Sequence, residues 1–256
     1  MEDMTQEKKD FTIHALPVLK DNIIWIWEAS GQAVVVDPAV SEPVKEFLSQ
    51  NNLALNSVLQ THHHDDHIGG TRDLISNWPS ASIIACKTDL ERIPFQTHSV
   101  TDQEVFTLFG YSVKVLEVPG HTRGHVAYYL SDTNADNRNP ALFCGDTLFA
   151  GGCGRLFEGT PHEMFKSLKL LNSLPSNTKI YCAHEYTESN LHWANHLYPE
   201  DLLIKKRLEY VSSQRANGLL SLPSTIAEER KTNLFFRART LEQFSQFRKH
   251  KDNWMS

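Results

Sequence analysis

The sequence predicts a mixed α/β domain followed by a helical C-terminal domain. Strand-like runs rich in Val, Ile and Trp alternate with helical patterns over the first part of the chain. Several of these runs end directly at histidine or aspartate residues. From about Glu185 onward the composition becomes helical. These observations indicate a sheet protein with helical cover, whose functional residues lie at the ends of strands.

The first elements predict a sheet that continues into alternating strands and helices. The pairs Asp21-Asn22 and Ser30-Gly31 are typical of turns and separate three strands. Ser41-Glu42-Pro43 then offers an N-cap residue and an early proline, which together indicate the start of a helix. The predicted strands cover residues 11–19, 23–28 and 32–36, and the helix ends near residue 51.

A short strand over residues 57–60 leads into the segment on which the functional prediction depends. Four histidines and two aspartates lie within residues 62–67. Burying so many titratable groups without partners costs on the order of several kcal/mol each, so water or bound cations must surround them. Gly69-Gly70 are predicted to let the backbone turn sharply beneath an ion. The spacing H-x-H-x-D-H indicates two half-sites, one with His62 and His64 and the other with Asp66 and His67.

Three later strands also end at residues of metal-binding type. Residues 111–118 are followed by His121, residues 141–144 by Asp146 and residues 179–182 by His184. Strand ends that meet at one edge of a sheet sandwich can gather such side chains into one cleft. The sequence therefore predicts seven metal ligands: His62, His64, Asp66, His67, His121, Asp146 and His184.

This ligand set indicates a catalytic site with two metal ions. One ion is assigned to His62, His64 and His121, the other to Asp66, His67 and His184, with Asp146 as the bridge. Such sites leave a position for water, and two ions ~3.5 to 4 Å apart lower the pKa of a shared water from 15.7 toward ~7. We expect Asp66 and Asp146 to be the catalytic carboxylates, with Asp146 orienting the bridging hydroxide, so that no serine or cysteine nucleophile is needed.

Three neighbouring residues are interpreted as supporting or surface groups. His63 and Asp65 occupy the x positions of the motif and should point away from the ions. His125 lies four residues after His121 and is assigned a supporting or core role. A lone histidine at a strand end is more often a hydrogen-bonded structural residue, so the prediction depends on the complete set.

Composition narrows the class of protein. The chain has 256 residues and a formal net charge of −6, which disfavours nucleic acid as the main partner. No run approaches the ~18 to 20 apolar residues of a membrane span, and the polar residues 1–10 predict a flexible tail rather than a secretory signal. The four cysteines form no C-x-x-C pair and lie mostly in apolar runs. We expect free thiols and a cytoplasmic protein without membrane association.

The last quarter of the chain predicts four helices. They cover residues 191–197, 203–216, 226–231 and 241–250, and the last ends in a basic cluster over residues 248–251. We place a tail over residues 1–10, an α/β domain over residues 11–182 and a helical substrate-binding domain over residues 183–256.

Several motifs carry a resemblance to known families. T-H-H-H-D-D-H, P-G-H-T, G-D-T and the late His184 resemble the metallo-β-lactamase superfamily. Residues 145–149, 151–160, 183–187 and 248–252 are similar to the narrower glyoxalase II (hydroxyacylglutathione hydrolase) family, and this resemblance extends from about residue 11 to the end.

The resemblance implies an αββα sandwich of the metallo-β-lactamase type with a helical C-terminal domain. It also implies two divalent ions (zinc, with iron or manganese as alternatives) and an enzyme that hydrolyses S-(2-hydroxyacyl)glutathione thioesters such as S-lactoylglutathione. We expect the protein to be a monomer. Arg248 and Lys251 would bind the glycine carboxylate of glutathione in charge-assisted pairs; on their own they would be interpreted as a solvated helix end. The implied glutathione contacts are Arg155, Phe157 through its backbone, Tyr186, Arg248 and Lys251.

The sequence departs from the usual family pattern at three positions. Phe157 stands where many members have Tyr, Ile23 stands where Tyr is usual, and Asp65 adds a carboxylate beside the predicted ions.

Other activities share this scaffold. A β-lactamase is disfavoured by the bridging Asp146, by His67 beside Asp66 and by the helical extension, and a nuclease is disfavoured by the acidic net charge. A glutathione persulfide dioxygenase would not need the ligands of the second ion. A non-catalytic metal-binding scaffold is disfavoured by the complete ligand set.

Overall fold

The computed structural model describes residues 11–131 and 140–254. The described residues divide into two compact units: the first contains residues 11–117 together with 126–131 and 140–143, and the second contains residues 118–125 together with 144–254. The predicted tail over residues 1–10 lies outside the described residues. Within the described ranges no helix is long and apolar enough to cross a membrane. The predicted division at residues 182 and 183 stays a prediction.

The first sheet of the first unit contains six strands in chain order. The first three pair antiparallel, as the predicted turns require, and the last three join the third in parallel. Ser30 and Gly31 both have positive φ angles, of 53° and 74°, which is typical of a two-residue hairpin turn. The strands are β1 (Phe11–Val18), β2 (Asn22–Ala29), β3 (Gln32–Val36), β4 (Ala54–Leu59), β5 (Ser82–Cys86) and β6 (His98–Val100).

Three helices connect the parallel strands of this sheet. The predicted helix after Ser41 is confirmed, with Pro43 in its first turn and Val44 and Leu48 buried against the sheet. A single helical turn then contains the end of the histidine motif, and a third helix begins at Thr71. The helices are α1 (Glu42–Gln50), α2 (Asp65–Ile68) and α3 (Thr71–Asn77).

A second sheet packs on the first within this unit. Four antiparallel strands contribute to it: β7 (Val105–Leu108), β8 (Tyr111–Glu117), β9 (Val126–Leu130) and β10 (Ala141–Gly145). β9 was not predicted, because all five of its residues are buried and it shows no alternation. Its Tyr128 hydroxyl donates to the backbone oxygens of Gln60 and Ile84 in the first sheet, at 2.9 and 3.0 Å. The two sheets therefore face each other, as in the predicted sandwich.

The second unit contains short strands and six helices. Its strands are β11 (Leu148–Phe149), β12 (Gly152–Cys153), β13 (Lys179–Cys182) and β14 (Ser224–Thr225). Its helices are α4 (Pro161–Asn172), α5 (Thr187–Leu197), α6 (Leu202–Ala216), α7 (Ile226–Thr232), α8 (Leu234–Arg237) and α9 (Leu241–Asp252). The four predicted C-terminal helices are confirmed as α5, α6, α7 and α9. α4 was missed, although Thr160 and Glu163 form a capping box at its start.

Candidate functional site

Four of the predicted ligands lie together in the first unit, directly after β4. The chain is extended at His64, which is the N-cap of α2, and helical from Asp65. His62 Nε2 lies 3.0 Å from His64 Nδ1, and the rings of His62 and His67 are 4.1 Å apart. His67 Nε2 is 3.8 Å from a carboxylate oxygen of Asp66. Ligand atoms of neighbouring side chains in this loop are therefore close enough to bind the same ion.

Gly69 and Gly70 follow this loop, and the structure requires glycine there for a reason other than the sharp turn that was predicted. Neither Gly69 nor Gly70 has a positive φ angle. A Cβ atom at Gly69 would lie 2.6 Å from the backbone oxygen of Ala39, and one at Gly70 would lie 2.5 Å from the backbone carbon of Val40. The glycines therefore permit close approach of two backbone segments and not a strained turn.

Two residues that hold this loop were not recognised from the sequence. Asp37, which is buried, accepts hydrogen bonds from His67 Nδ1 at 3.1 Å, from the Thr61 hydroxyl at 2.6 Å and from the Thr61 backbone N–H at 2.8 Å. Asn22 donates to a carboxylate oxygen of Asp66 at 3.1 Å. Carboxylates that bind a ligating histidine fix its tautomer and raise its basicity, so Asp37 orients His67.

The two residues at the x positions of the motif turn away from these ligands. His63 Nδ1 lies 3.3 Å from a carboxylate oxygen of the buried Asp89, and Arg92 also contacts that carboxylate. Asp65 is exposed. Both positions agree with the supporting or surface roles that the spacing indicated.

The other three predicted ligands lie together in the second unit. Asp146 Oδ2 is 3.4 Å from His121 Nε2, and Asp146 Oδ1 is 3.4 Å from His184 Nε2. All three side chains are buried. His121 Nδ1 donates to the backbone oxygen of Arg155 at 2.9 Å, and His125 Nε2 accepts from the Asp146 backbone N–H at 3.0 Å. Each carboxylate oxygen thus faces a different imidazole, and His125 has the predicted supporting role.

Gly154 is fixed by this arrangement. A Cβ atom there would lie 2.0 Å from the backbone oxygen of Asp146 and 3.0 Å from His121 Nδ1. Any other residue would displace the loop that carries Asp146.

A cleft of about 440 Å³ in the second unit opens beside His121 and Asp146. All five residues predicted to contact glutathione line it: Arg155, Phe157, Tyr186, Arg248 and Lys251. Phe149, Asn190 and Trp254 also line it and were not predicted as site residues. Phe149 belongs to the G-D-T-L-F segment, one of the motifs that carry the family resemblance.

Aromatic rings flank two of the histidines in this unit. Tyr186 stacks on His184 with ring centroids 4.8 Å apart and planes 5° from parallel, and Phe149 meets Tyr186 edge-on at 5.1 Å. Phe157 lies 5.1 Å from the ring of His121 and is 65% exposed, so its outer face is available to a ligand.

The basic residues of α9 differ from each other in environment. Arg248 is buried and donates to the backbone oxygen of Cys153 at 2.9 Å and to Asp252 at 2.7 Å. It is therefore not part of a solvated helix end. Burial, together with the positive charges of Arg248 and Arg155, lowers the pKa of Lys251 from 10.5 to about 8. Lys251 thus lines the cleft as a cation that a bound anion would stabilise.

None of the four cysteines forms a disulfide, as predicted, and all four are buried. Burial raises the pKa of Cys153 to about 11 and that of Cys182 to about 12, and it also raises the pKa of Cys144 well above its usual value. These thiols stay protonated near neutral pH and are poor nucleophiles.

Two protein families match consecutive parts of this chain. Residues 16–184 match the Metallo-beta-lactamase superfamily, and residues 185–254 match the Hydroxyacylglutathione hydrolase C-terminus. A hydroxyacylglutathione hydrolase from Prochlorococcus marinus is 58% identical over 253 residues, which cover 99% of this chain and 100% of that protein. The chain belongs to the hydroxyacylglutathione hydrolase family. A second member of this name, from another strain of Prochlorococcus marinus (MIT 9303), is 58% identical over 98% of this chain and 96% of its own.

Solved structures show the fold. A metallo-beta-lactamase from Staphylococcus aureus superposes with a TM-score of 0.71 at 21% identity, over 98% of this chain and 69% of that one. ETHE1 from Myxococcus xanthus superposes with a TM-score of 0.66 at 22% identity, over 93% and 90% of the two chains. The chain therefore has the metallo-β-lactamase fold, and the predicted fold class is confirmed. Its histidine and aspartate clusters are of the kind that binds divalent metal ions in that fold.

Proposed function

We propose that this protein hydrolyses the thioester bond of S-(2-hydroxyacyl)glutathione, such as S-lactoylglutathione, to glutathione and a 2-hydroxy acid such as D-lactate. The reaction would serve methylglyoxal detoxification. The observation that carries the proposal is the match, over essentially the whole chain, to relatives named hydroxyacylglutathione hydrolase. The cleft beside His121 and Asp146, with its aromatic and basic lining, supports a substrate that has peptide and carboxylate groups.

Two groups of side chains have the chemistry to bind divalent metal ions: the four predicted ligands after β4, and the set of His121, Asp146 and His184. Imidazole nitrogens and carboxylate oxygens are the donors of catalytic zinc sites and also accept iron and manganese. Asp146 presents one oxygen toward each of two imidazoles, which suits a carboxylate that bridges two ions. We propose that the protein binds two ions and that zinc is the preferred metal, with iron or manganese as alternatives. Their ligands would be His62, His64 and His121 for one ion, Asp66, His67 and His184 for the other, and Asp146 for both.

In the proposed reaction, divalent ions would supply a water of lowered pKa and would polarise the thioester carbonyl. Asp146 would orient the attacking water by accepting a hydrogen bond, and Asp37 would keep His67 in position. Lys251 would pair with the glycine carboxylate of glutathione, while Arg155 and Tyr186 would border the peptide. Glutathione leaves as a thiolate, and since thiols have a pKa near ~8.5 no strong general acid is required.

The proposal is tested by comparing substrates on purified protein. We expect turnover of S-lactoylglutathione and no comparable turnover of a β-lactam or of single-stranded RNA. Faster hydrolysis of either alternative substrate would contradict the proposal and would favour one of the other activities of this fold.

We also propose that the protein is a monomer in a reducing compartment, the cytoplasm. Its four buried free thiols support this location, because disulfides persist mainly in oxidising environments.

A further inference from the structure

Glu229 is a fully buried carboxylate of α7 that binds the turn joining β11 and β12. Its Oε2 accepts from the backbone N–H of Gly151 at 2.7 Å and from Asn233 Nδ2 at 2.9 Å. Its Oε1 accepts from Arg207 Nη2 at 2.6 Å and from the Ser224 hydroxyl at 2.5 Å. A buried charge is tolerated only when it is paired and hydrogen-bonded, and these donors meet that requirement.

Two buried asparagines hold the rest of the same turn. Asn233 Nδ2 donates to the backbone oxygens of Gly152, at 2.9 Å, and Phe149, at 3.3 Å. Asn190 Nδ2 donates to the backbone oxygen of Ala150 at 3.1 Å. Each residue from 149 to 152 thus has a backbone group bonded to the side chain of Asn190, Glu229 or Asn233.

The turn needs such external support because of its own composition. Gly151 has a φ angle of +71°, and glycine is the residue that loses most conformational freedom on folding. A Cβ atom at Gly152 would lie 2.5 Å from Asn190 Nδ2, so the side chain that holds the turn also occupies the space beside it.

The same turn shapes the cleft. Phe149, at the start of the turn, and Cys153, directly after it, line the cleft, and so does Arg155, two residues later. The backbone oxygen of Cys153 also accepts the hydrogen bond from Arg248. A shift of this turn would therefore move both the aromatic and the basic parts of the cleft wall.

We propose that Glu229 is a positioning residue for substrate binding: through Gly151 and Asn233 it sets the turn that forms one wall of the glutathione cleft. This inference rests on the proposed function. Glu229 itself does not line the cleft, so its effect should reach the substrate through Phe149, Cys153 and Arg155.

The test is Glu229→Gln, compared with Glu228→Gln as the matched control. Glutamine keeps the size of the side chain but places an amide N–H₂ against donors, so at least one of the bonds to Gly151, Asn233, Arg207 and Ser224 is lost. Glu228 is adjacent on the same helix, and its side chain is 39% exposed. We expect Glu229→Gln to raise KM for S-lactoylglutathione about tenfold and to change kcat less than twofold, with metal content unchanged and amide exchange of Gly151 at least tenfold faster.

A second variant keeps the test informative if Glu229→Gln folds poorly. Asn233→Ser retains a residue suited to the N-cap of α8 but is too short to reach Phe149 and Gly152, so it should also raise KM selectively. An unchanged KM in both variants, a fall in kcat alone, or an equal effect of Glu228→Gln would overturn the inference. Failure of the wild-type protein to cleave the thioester would reject the proposed function instead, and the exchange rate of Gly151 would still test the role of Glu229.

Discussion

The carboxylate of Asp37 accepts a hydrogen bond from Nδ1 of His67 at 3.1 Å. This bond leaves Nε2 as the nitrogen directed toward Asp66, 3.8 Å from its carboxylate. We predict that Asp37→Asn lowers metal affinity about 10- to 100-fold, because carboxylate partners of ligating histidines contribute about that much. Competition with a chelator of known affinity measures the change. The exposed Asp73→Asn serves as the control, and equal affinities in the two variants would remove Asp37 from the site.

Asp146 is predicted to be required for metal binding and not only for activity. It is the carboxylate whose two oxygens face His121 and His184, so Asp146→Ala should remove a ligand from both ions. Metal content by elemental analysis and thioester hydrolysis should therefore fall together. Retention of two ions per chain in this variant would show that the proposed ligand set is wrong.

Substitution of Lys251 should affect substrate binding, whereas substitution of Arg248 should affect stability as well. Lys251→Ala should raise KM about 10- to 100-fold at unchanged kcat, as expected for the loss of a charge-assisted bond of ~1.5 to 3 kcal/mol. Arg248→Ala should in addition lower the free energy of unfolding by about 1 to 3 kcal/mol, because it leaves the buried backbone oxygen of Cys153 without this donor. Thermal unfolding and steady-state kinetics measure the two effects, with Lys249→Ala as an exposed control. The variant that combines Arg248→Ala with Lys251→Ala should keep its metal. An unchanged KM in this double variant would return both residues to a purely structural role.

The affinity for substrate should fall as pH rises through about 8. The pKa of Lys251 is lowered from 10.5 to about 8, mainly by burial, so the ammonium that binds a carboxylate is present below pH 8 and is lost above it. KM should therefore be lowest below pH 8 and rise above it. The folded protein binds this proton less tightly than the unfolded chain does, so the contribution of Lys251 to stability improves between pH 8 and 10.5. In Lys251→Met both dependences should disappear. A KM that rises identically in the variant would assign the effect to another group.

Much of the candidate site could be predicted from the sequence, because its histidines and aspartates directly follow apolar, strand-like runs. His62 to His67 form one contiguous motif, and His121, Asp146 and His184 each follow an apolar run directly. Both groups lie together within their units, and the predicted glutathione contacts line one cleft. The capping box at Thr160 was an equally local signal for the start of α4, and it was missed.

The residues that support the site could not be found in the same way. Asp37 is 30 residues from His67 and Glu229 is 78 residues from Gly151, and no pattern within either segment points to the other. β9 lacked alternation because both of its faces are buried. Gly69 and Gly70 were noted in the sequence, but the reason why glycine is required there was not. That reason is the close approach of the backbone of residues 39–41, which depends on tertiary packing.

Removal and return of metal tests the central claim most directly. Protein treated with a chelator and dialysed should hold no divalent ion and should lose S-lactoylglutathione hydrolysis. Titration with zinc should restore activity, which should level off at two equivalents per chain. Full thioester hydrolysis by protein shown to be free of metal would contradict the account.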